Sequence, residues 1–301
     1  MLSPSRVAAL RPALDRLYDE FNRPDAAADP VQFVWRYERP ADREVVAFLA
    51  SALAFGHVNV ILRALEGLLA RIGPHPADYV LAFDPRRNGG ALSTFVHRWT
   101  RGEDVVALVL VLQHMLRRAG SIEAFFVEGD DPASADVGPG LESFAARASA
   151  IGAGRAHGAR PARTGVHYFF ARPSRGGACK RLNLFLRWMV RQDRLDPGGW
   201  TSIPRSRLVV PLDAHVFRVG QCLGLTRYRS AGWRMASDIT ASLRQLDPAD
   251  PVKYDFALCH LGMLDRCGFN RPQGDARCPL RGLCRPRARR RPSSRRPSAG
   301  R

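Results

Sequence analysis

What the chain lacks narrows its possibilities first. No stretch reaches the roughly 18 uninterrupted apolar residues of a membrane-spanning helix, and the longest apolar candidate is the short run Val105 to Leu112. The first twenty residues hold no apolar segment followed by a small-residue cleavage site, so the chain is expected to be cytoplasmic. Alternating series of strand length are missing, and so is an internal repeat. Acidic residues are scarce: 28 Asp and Glu face 46 Lys and Arg, for a net charge of +18 and an isoelectric point near 11.0. Such a balance is expected of a chain that meets a polyanion, although richness in Ala, Arg and Gly arising from genome composition produces it too. Eight of the arginines lie between Arg285 and Arg301, where no acid occurs, which leaves +10 on the remainder. Without a leader, the six cysteines point to reduced thiols or metal ligation rather than disulfides.

What is present reads as all-α. Apolar residues recur at helical spacing over 4–22 (Val7, Leu10, Leu14, Leu17, Phe21), 41–56 and 57–72, and further helices are predicted at 77–83, 103–118, 122–127 and 141–151. Asp29-Pro30 caps a short helix through Tyr37. The Asp, Pro and Gly cluster of 128–140 predicts a loop, and 152–164 a flexible connection. Helices follow at 180–192, from Asp213 onward, at 230–246 and at 251–263. On the helix from Lys180, the spacing turns Leu182, Phe185, Leu186 and Met189 inward and Arg181, Arg187 and Arg191 outward. The expected organisation is an N-terminal helical part (1–160), a central part carrying the motifs (161–258), a cysteine-containing loop (259–284) and a basic tail (285–301) whose Arg, Pro and Ser composition predicts disorder.

Two stretches carry candidate chemistry. In Val209-Val210-Pro211-Leu212-Asp213-Ala214-His215, Pro211 breaks what precedes it and Asp213 sits where an N-cap carboxylate accepts the first free amides of a helix. Upstream, Gly176-Gly177-Ala178-Cys179-Lys180 places two adjacent glycines before a helix. Such a turn permits positive φ and leaves backbone amides facing an anion such as a phosphate. Plain readings stand beside these: Asp213 as a cap alone, Lys180 as a phosphate contact or a solvated charge, the glycines as an ordinary turn.

The residues Pro211, Asp213, His215, Arg218, Val219, Leu223, Gly224 and Leu225 resemble the Pro-x-Asp-x-His-x-x-Arg…Leu-Gly-Leu segment of the helix-hairpin-helix DNA glycosylases. More closely, this segment, the run Gly177 to Arg191 and the run Asp250 to Leu258 resemble the DUF2400 proteins, a bacterial family without an established activity. The first resemblance implies a helix-hairpin-helix DNA glycosylase-like helical bundle. It implies that Asp213 is catalytic and that Lys180 is a Schiff-base nucleophile toward sugar C1′, which requires its amine unprotonated. It also implies that Gly176, Gly177, Arg181, His215 and Arg218 meet DNA, a duplex bearing a damaged base flipped from the stack. Leu49 to Gly56 corresponds to the superfamily's helix leading into the DNA wedge; the usual glutamine is missing here, and Phe55 is the replacement candidate. The run Cys278-Pro279-Leu280-Arg281-Gly282-Leu283-Cys284 resembles the end of the glycosylase iron-sulfur loop, with Asp275 at the place of a cysteine. A [4Fe-4S] cluster held by Cys259, Cys267, Cys278 and Cys284 is therefore expected, with a metal-free loop as its rival. The leading expectation is a nucleoid-associated base-excision DNA glycosylase, with lyase activity if Lys180 attacks. A non-catalytic nucleic-acid-binding protein and a cluster-bearing structural or redox partner remain open beside it.

Overall fold

The computed structural model describes residues 2–155, 165–263, 267 and 278–284. Asp275 and the basic tail 285–301 lie outside the described residues, as do 156–164. The first half holds α1 (Pro4–Phe21), a 3-10 helix (Pro30–Arg36), α2 (Pro40–Ala52), α3 (Val58–Ile72), α4 (Pro76–Ala82), α5 (Pro85–Leu92), α6 (Gly102–Ala119), α7 (Ile122–Val127) and α8 (Gly138–Arg155). The second half holds α9 (Gly165–Phe169), α10 (Lys180–Val190), α11 (Ala214–Leu223), α12 (Trp233–Arg244) and α13 (Asp255–Met263). The all-α expectation holds. The departure from it is a small hairpin, β1 (Val96–His97) against β2 (Thr100–Arg101), paired antiparallel. Four residues of strand leave no readable alternation in a sequence, and α5, with two glycines in eight residues, leaves little helical periodicity. The predicted loop and connection are both shortened, because α8 begins at Gly138 and runs through Arg155.

Local chemistry explains several helix starts. The Ser3 hydroxyl accepts from the Arg6 amide at the head of α1, and Asp29 and Asp84 carboxylates cap the 3-10 helix and α5. Glu44 on α2 acts at longer range: its oxygens accept from the amides of Ile122 and Glu123 at the head of α7, and Oε1 also accepts from Trp200 Nε1 at 2.7 Å. A carboxylate at a helix N-terminus is favoured by the dipole there, so one buried side chain joins three segments.

The helix at the centre is α10. Leu182, Phe185, Leu186, Trp188 and Met189 are buried, and Phe185 meets Phe48 of α2 edge-on at 5.0 Å between ring centres. The outward face expected for its arginines is overturned: Arg187 and Arg191 are only 2% and 3% exposed. Both are neutralised inside. Arg187 reaches Asp196 (3.0 Å) and Asp255 (2.8 Å), and Arg191 reaches Asp193, Asp196 and Asp250. Burial works against the Arg187 charge, but Asp196 and Asp255 outweigh it and hold its pKa up. The aspartates come from the loop after α10 and from the start of α13, at sequence distances that no helical periodicity encodes. Against this hub packs α2, the Arg187–Asp255 pair ties it to α13, and α13 in turn packs on α11 and α1. The N-terminal and central parts expected from the sequence thus share one core.

Candidate functional site

Asp213 caps α11 as its sequence suggested. Oδ1 accepts from the amides of His215 and Val216, both at 2.8 Å. Gly224, at φ 69°, ends the same helix, and the Leu225 amide closes onto the Gly220 carbonyl at 2.8 Å. The other carboxylate oxygen, Oδ2, accepts from the Cys259 thiol of α13 at 3.0 Å. Burial, with Asp213 and Asp255 nearby, pushes the Cys259 thiol well up, so it stays protonated and serves as the donor.

Lys180 is the first residue of α10, and its Nζ donates to the carbonyl of Ala54, just past α2, at 3.0 Å. The turn before it has a different geometry from a double-glycine hairpin. Gly176 is left-handed (φ 79°), but the second positive φ falls on Cys179 (φ 50°) rather than on Gly177. The Cys179 thiol compensates locally by donating to the carbonyls of Ala171 and Gly177, and burial pushes its pKa up to about 12. Gly176 and Gly177 are both exposed, and the Gly176 carbonyl accepts from the Trp233 amide at the head of α12.

These pieces surround one cavity of about 140 Å³. Its walls are Ala54, Phe55 and Gly56 from the loop after α2, Lys180 and Arg187 from α10, Pro211, Asp213 and His215 from the α11 entry, and a stripe of α13. That stripe is Asp255, Phe256, Cys259, His260 and Met263, two adjacent helical rows of four-residue spacing. Beside it lies a wider trough of about 510 Å³, which shares Phe55, Lys180, Asp213 and His215 and adds Trp99, Tyr168, Phe169, Gly177 and Arg181. Trp99 and Tyr168 are exposed. Trp99 stacks on Phe55 at 4.8 Å and 14°, and meets Tyr168 at 4.7 Å.

Lys180, Asp213, His215 and Gly177 therefore come together. Arg218 is exposed on α11 and lines neither space. Arg181 lines the trough but commits its donors to the carbonyls of Ala52 and Tyr168. Its guanidinium lies within 5.3 to 5.7 Å of the ring centres of Phe55, Trp99 and Phe169, and burial pushes its pKa down to about 10. It is a strut behind an aromatic wall, where a phosphate contact had been expected. Phe55 is likewise half-buried in that wall, so the residues most open to a ligand there are Trp99 and Tyr168. Neither had a sequence signal, because the hairpin that carries Trp99 is too short to predict. Asp255 and His260 were also missed, although they flank Cys259 at spacings of four and one on a predicted helix.

Two of the four cysteines expected to hold a cluster have other near neighbours. Cys259 directs its thiol to Asp213, on the cavity side of α13. Cys284 Sγ instead lies 3.0 Å from Cys222 Sγ of α11, a residue outside the expected ligand set. Among the described residues, which include Cys259, Cys267, Cys278 and Cys284, no three His, Cys, Asp or Glu side chains form a group that could hold a metal ion.

Residues 29–264 match the family model described as a protein of unknown function, DUF2400. The chain belongs to the DUF2400 family. No curated protein and no solved structure matches it. Apart from Ala28 at its rim, the lining of the cavity in this DUF2400 chain lies within the matched segment, from Asp29 to Met263. No helix among its described residues is long and apolar enough to cross a membrane.

Proposed function

We propose that this DUF2400 protein binds DNA and hydrolyses the N-glycosidic bond of a damaged base, with Asp213 essential and Lys180 able to act as a lyase nucleophile. The observation that carries the reading is the meeting of Lys180 and Asp213 in one cavity although 33 positions separate them in the sequence. A carboxylate fixed by two amides and a thiol is held in place to face positive charge developing on a sugar ring as its bond to the base breaks. In that step the C1′–N bond electrons leave with the base. Water then attacks C1′ and gives up a proton, for which Asp213 is the acceptor. In the lyase branch the unprotonated Lys180 amine attacks C1′ in place of water, and the sugar opens to a Schiff base. The trough with exposed Trp99 and Tyr168 suits a nucleotide swung out of a duplex, since aromatic faces stack on bases. The net charge of +18 favours a polyanion and a nucleoid location.

The test is incubation with duplexes bearing 8-oxoguanine, uracil, alkylated bases or abasic sites. The wild type is expected to release one class of base, Asp213→Asn to lose at least about a thousandfold in rate, and Lys180→Gln to lose borohydride trapping. If wild type neither releases nor traps any lesion, the enzyme reading fails. Equal DNA binding by wild type and Asp213→Asn in that case would support a nucleic-acid-binding protein without catalysis. The engagement of Lys180 Nζ by the Ala54 carbonyl is the observation that favours this second reading.

A further inference from the structure

Three buried polar atoms on residues lining the cavity have no partner, His215 Nδ1 on α11 and two on α13. His260 is 2% exposed and its ring lies tilted against Phe256 at 3.9 Å between centres. Its Nδ1 lies 2.9 Å from the Phe256 carbonyl, which can only accept, so Nδ1 carries the proton and Nε2 presents a lone pair. That Nε2 is buried without a hydrogen-bond partner. Asp255, 3% exposed, gives Oδ2 to Arg187, while its Oδ1 is buried and unpartnered. Leaving a polar atom buried and unpaired is costly, so two in one helix stripe facing one cavity point to a ligand that completes them.

Charge supports the same sign. Around Arg187 and Arg191 stand Asp193, Asp196, Asp250 and Asp255, four carboxylates against two guanidiniums. Asp213 adds another carboxylate across the cavity. Of the carboxylates, Asp29, Asp213 and Asp255 line the cavity itself, beside Lys180 and Arg187, so acceptors outnumber cations there and favour a ligand that presents N–H.

We propose that Asp255 Oδ1 and His260 Nε2 read the N–H donor edge of a planar nitrogen heterocycle, a purine-type base that carries a ring N–H beside an amino group. This rests on the DNA-binding reading above and adds to it the chemical class of base admitted. Phe256 and Phe55, which line the same cavity, supply apolar surface for the faces of such a ring.

The experiment compares three oligonucleotide duplexes that differ at one 2′-fluoro nucleotide set opposite an abasic analogue. Fluorination slows bond cleavage and the abasic partner removes base pairing. The bases are guanine (ring N–H and amino group), hypoxanthine (ring N–H alone) and unsubstituted purine (neither). The full-length protein is expected to bind in that order, with about tenfold lost per donor removed. In His260→Phe, which keeps the aromatic ring but removes the acceptor, one of the two steps is expected to vanish. Asp255→Asn is expected to weaken the other, and if that variant does not fold because Arg187 loses a partner, His260→Phe still decides. Equal affinity for the three duplexes overturns the inference and leaves base release to decide the enzymatic reading. A donor-dependent ladder without base release does the reverse, and no binding to any duplex overturns both.

Discussion

Asp213 serves both as cap and as candidate catalyst, and the two roles separate by substitution. Asp213→Asn keeps an oxygen that can accept from the His215 and Val216 amides, so its stability is expected to stay close to wild type. Asp213→Ala removes the cap and is expected to cost about 1 kcal/mol, measured by urea denaturation. Both variants are expected to lose base release alike; activity retained in Asp213→Asn would reduce the residue to its cap. Arg187 is a contrasting case, because removing it strands Asp255 in the core and leaves Asp196 to Arg191 alone. Arg187→Ala is expected to destabilise by about 3–5 kcal/mol, and a loss under 1 kcal/mol would mean that the buried network is relieved by water. The capping role of Asp213 was legible because capping is set by neighbours within three residues. The burial of Arg187 was not, because its partners come from other segments, and a heptad of alternating arginine and apolar positions looks the same on a solvated helix.

At the scale of elements, the pairing of α11 with α13 sets the cavity, and it depends on a close approach at Gly262. A Cβ built there would lie 2.8 Å from His215 Cβ and Nδ1, so Gly262→Ala must push the helices apart. A loss of about 1–3 kcal/mol is expected, together with weaker function, since His215 and Asp213 move with α11. A thermal melt unchanged from wild type would contradict this packing. The same helix carries a pH dependence. Burial pushes the pKa of His260 below the ordinary histidine value, and it does the same for His97 of the hairpin. The unfolded chain takes up protons near pH 6.5 while these folded imidazoles do not, so their effect is nil above that pH and stability falls as pH drops below about 6.5. Asp255, which burial pushes up to about 7, contributes the opposite slope, so the histidine part is read as the difference between wild type and His260→Phe in denaturation series from pH 7.5 to 5, the variant being expected to lose less stability as pH falls. A slope identical in the variant would mean that His260 is protonated in the folded state. Helix existence was legible here through the run Pro251 to Met263, but which of its faces met a cavity depended on where α11 and the loop after α2 came to lie.

For the whole molecule, the charge surplus leads to a salt-dependent affinity for nucleic acid. Removing residues 285–301 deletes eight arginines and no acid. The truncated chain is expected to show a shallower fall of log affinity with log salt concentration, because fewer counterions are released. The ranking of guanine, hypoxanthine and purine duplexes is expected to persist, since base contacts specify and phosphate contacts position. An unchanged salt slope would show that the tail does not touch DNA. By itself the sequence determined what is local or additive: helical periods, the Asp213 cap, the glycine turn before Lys180, membership of the DUF2400 family and net charge. Tertiary structure alone decided what depends on distant segments meeting. It placed Lys180 beside Asp213, turned Cys259 toward that carboxylate, and took Arg187 and Arg191 inside. It also left Asp255 and His260 with unpartnered acceptors at one cavity. The physical reason is that hydrogen-bond partnership and burial are properties of pairs in space, and these pairs join different segments of the chain, across spacings that no helical period sets.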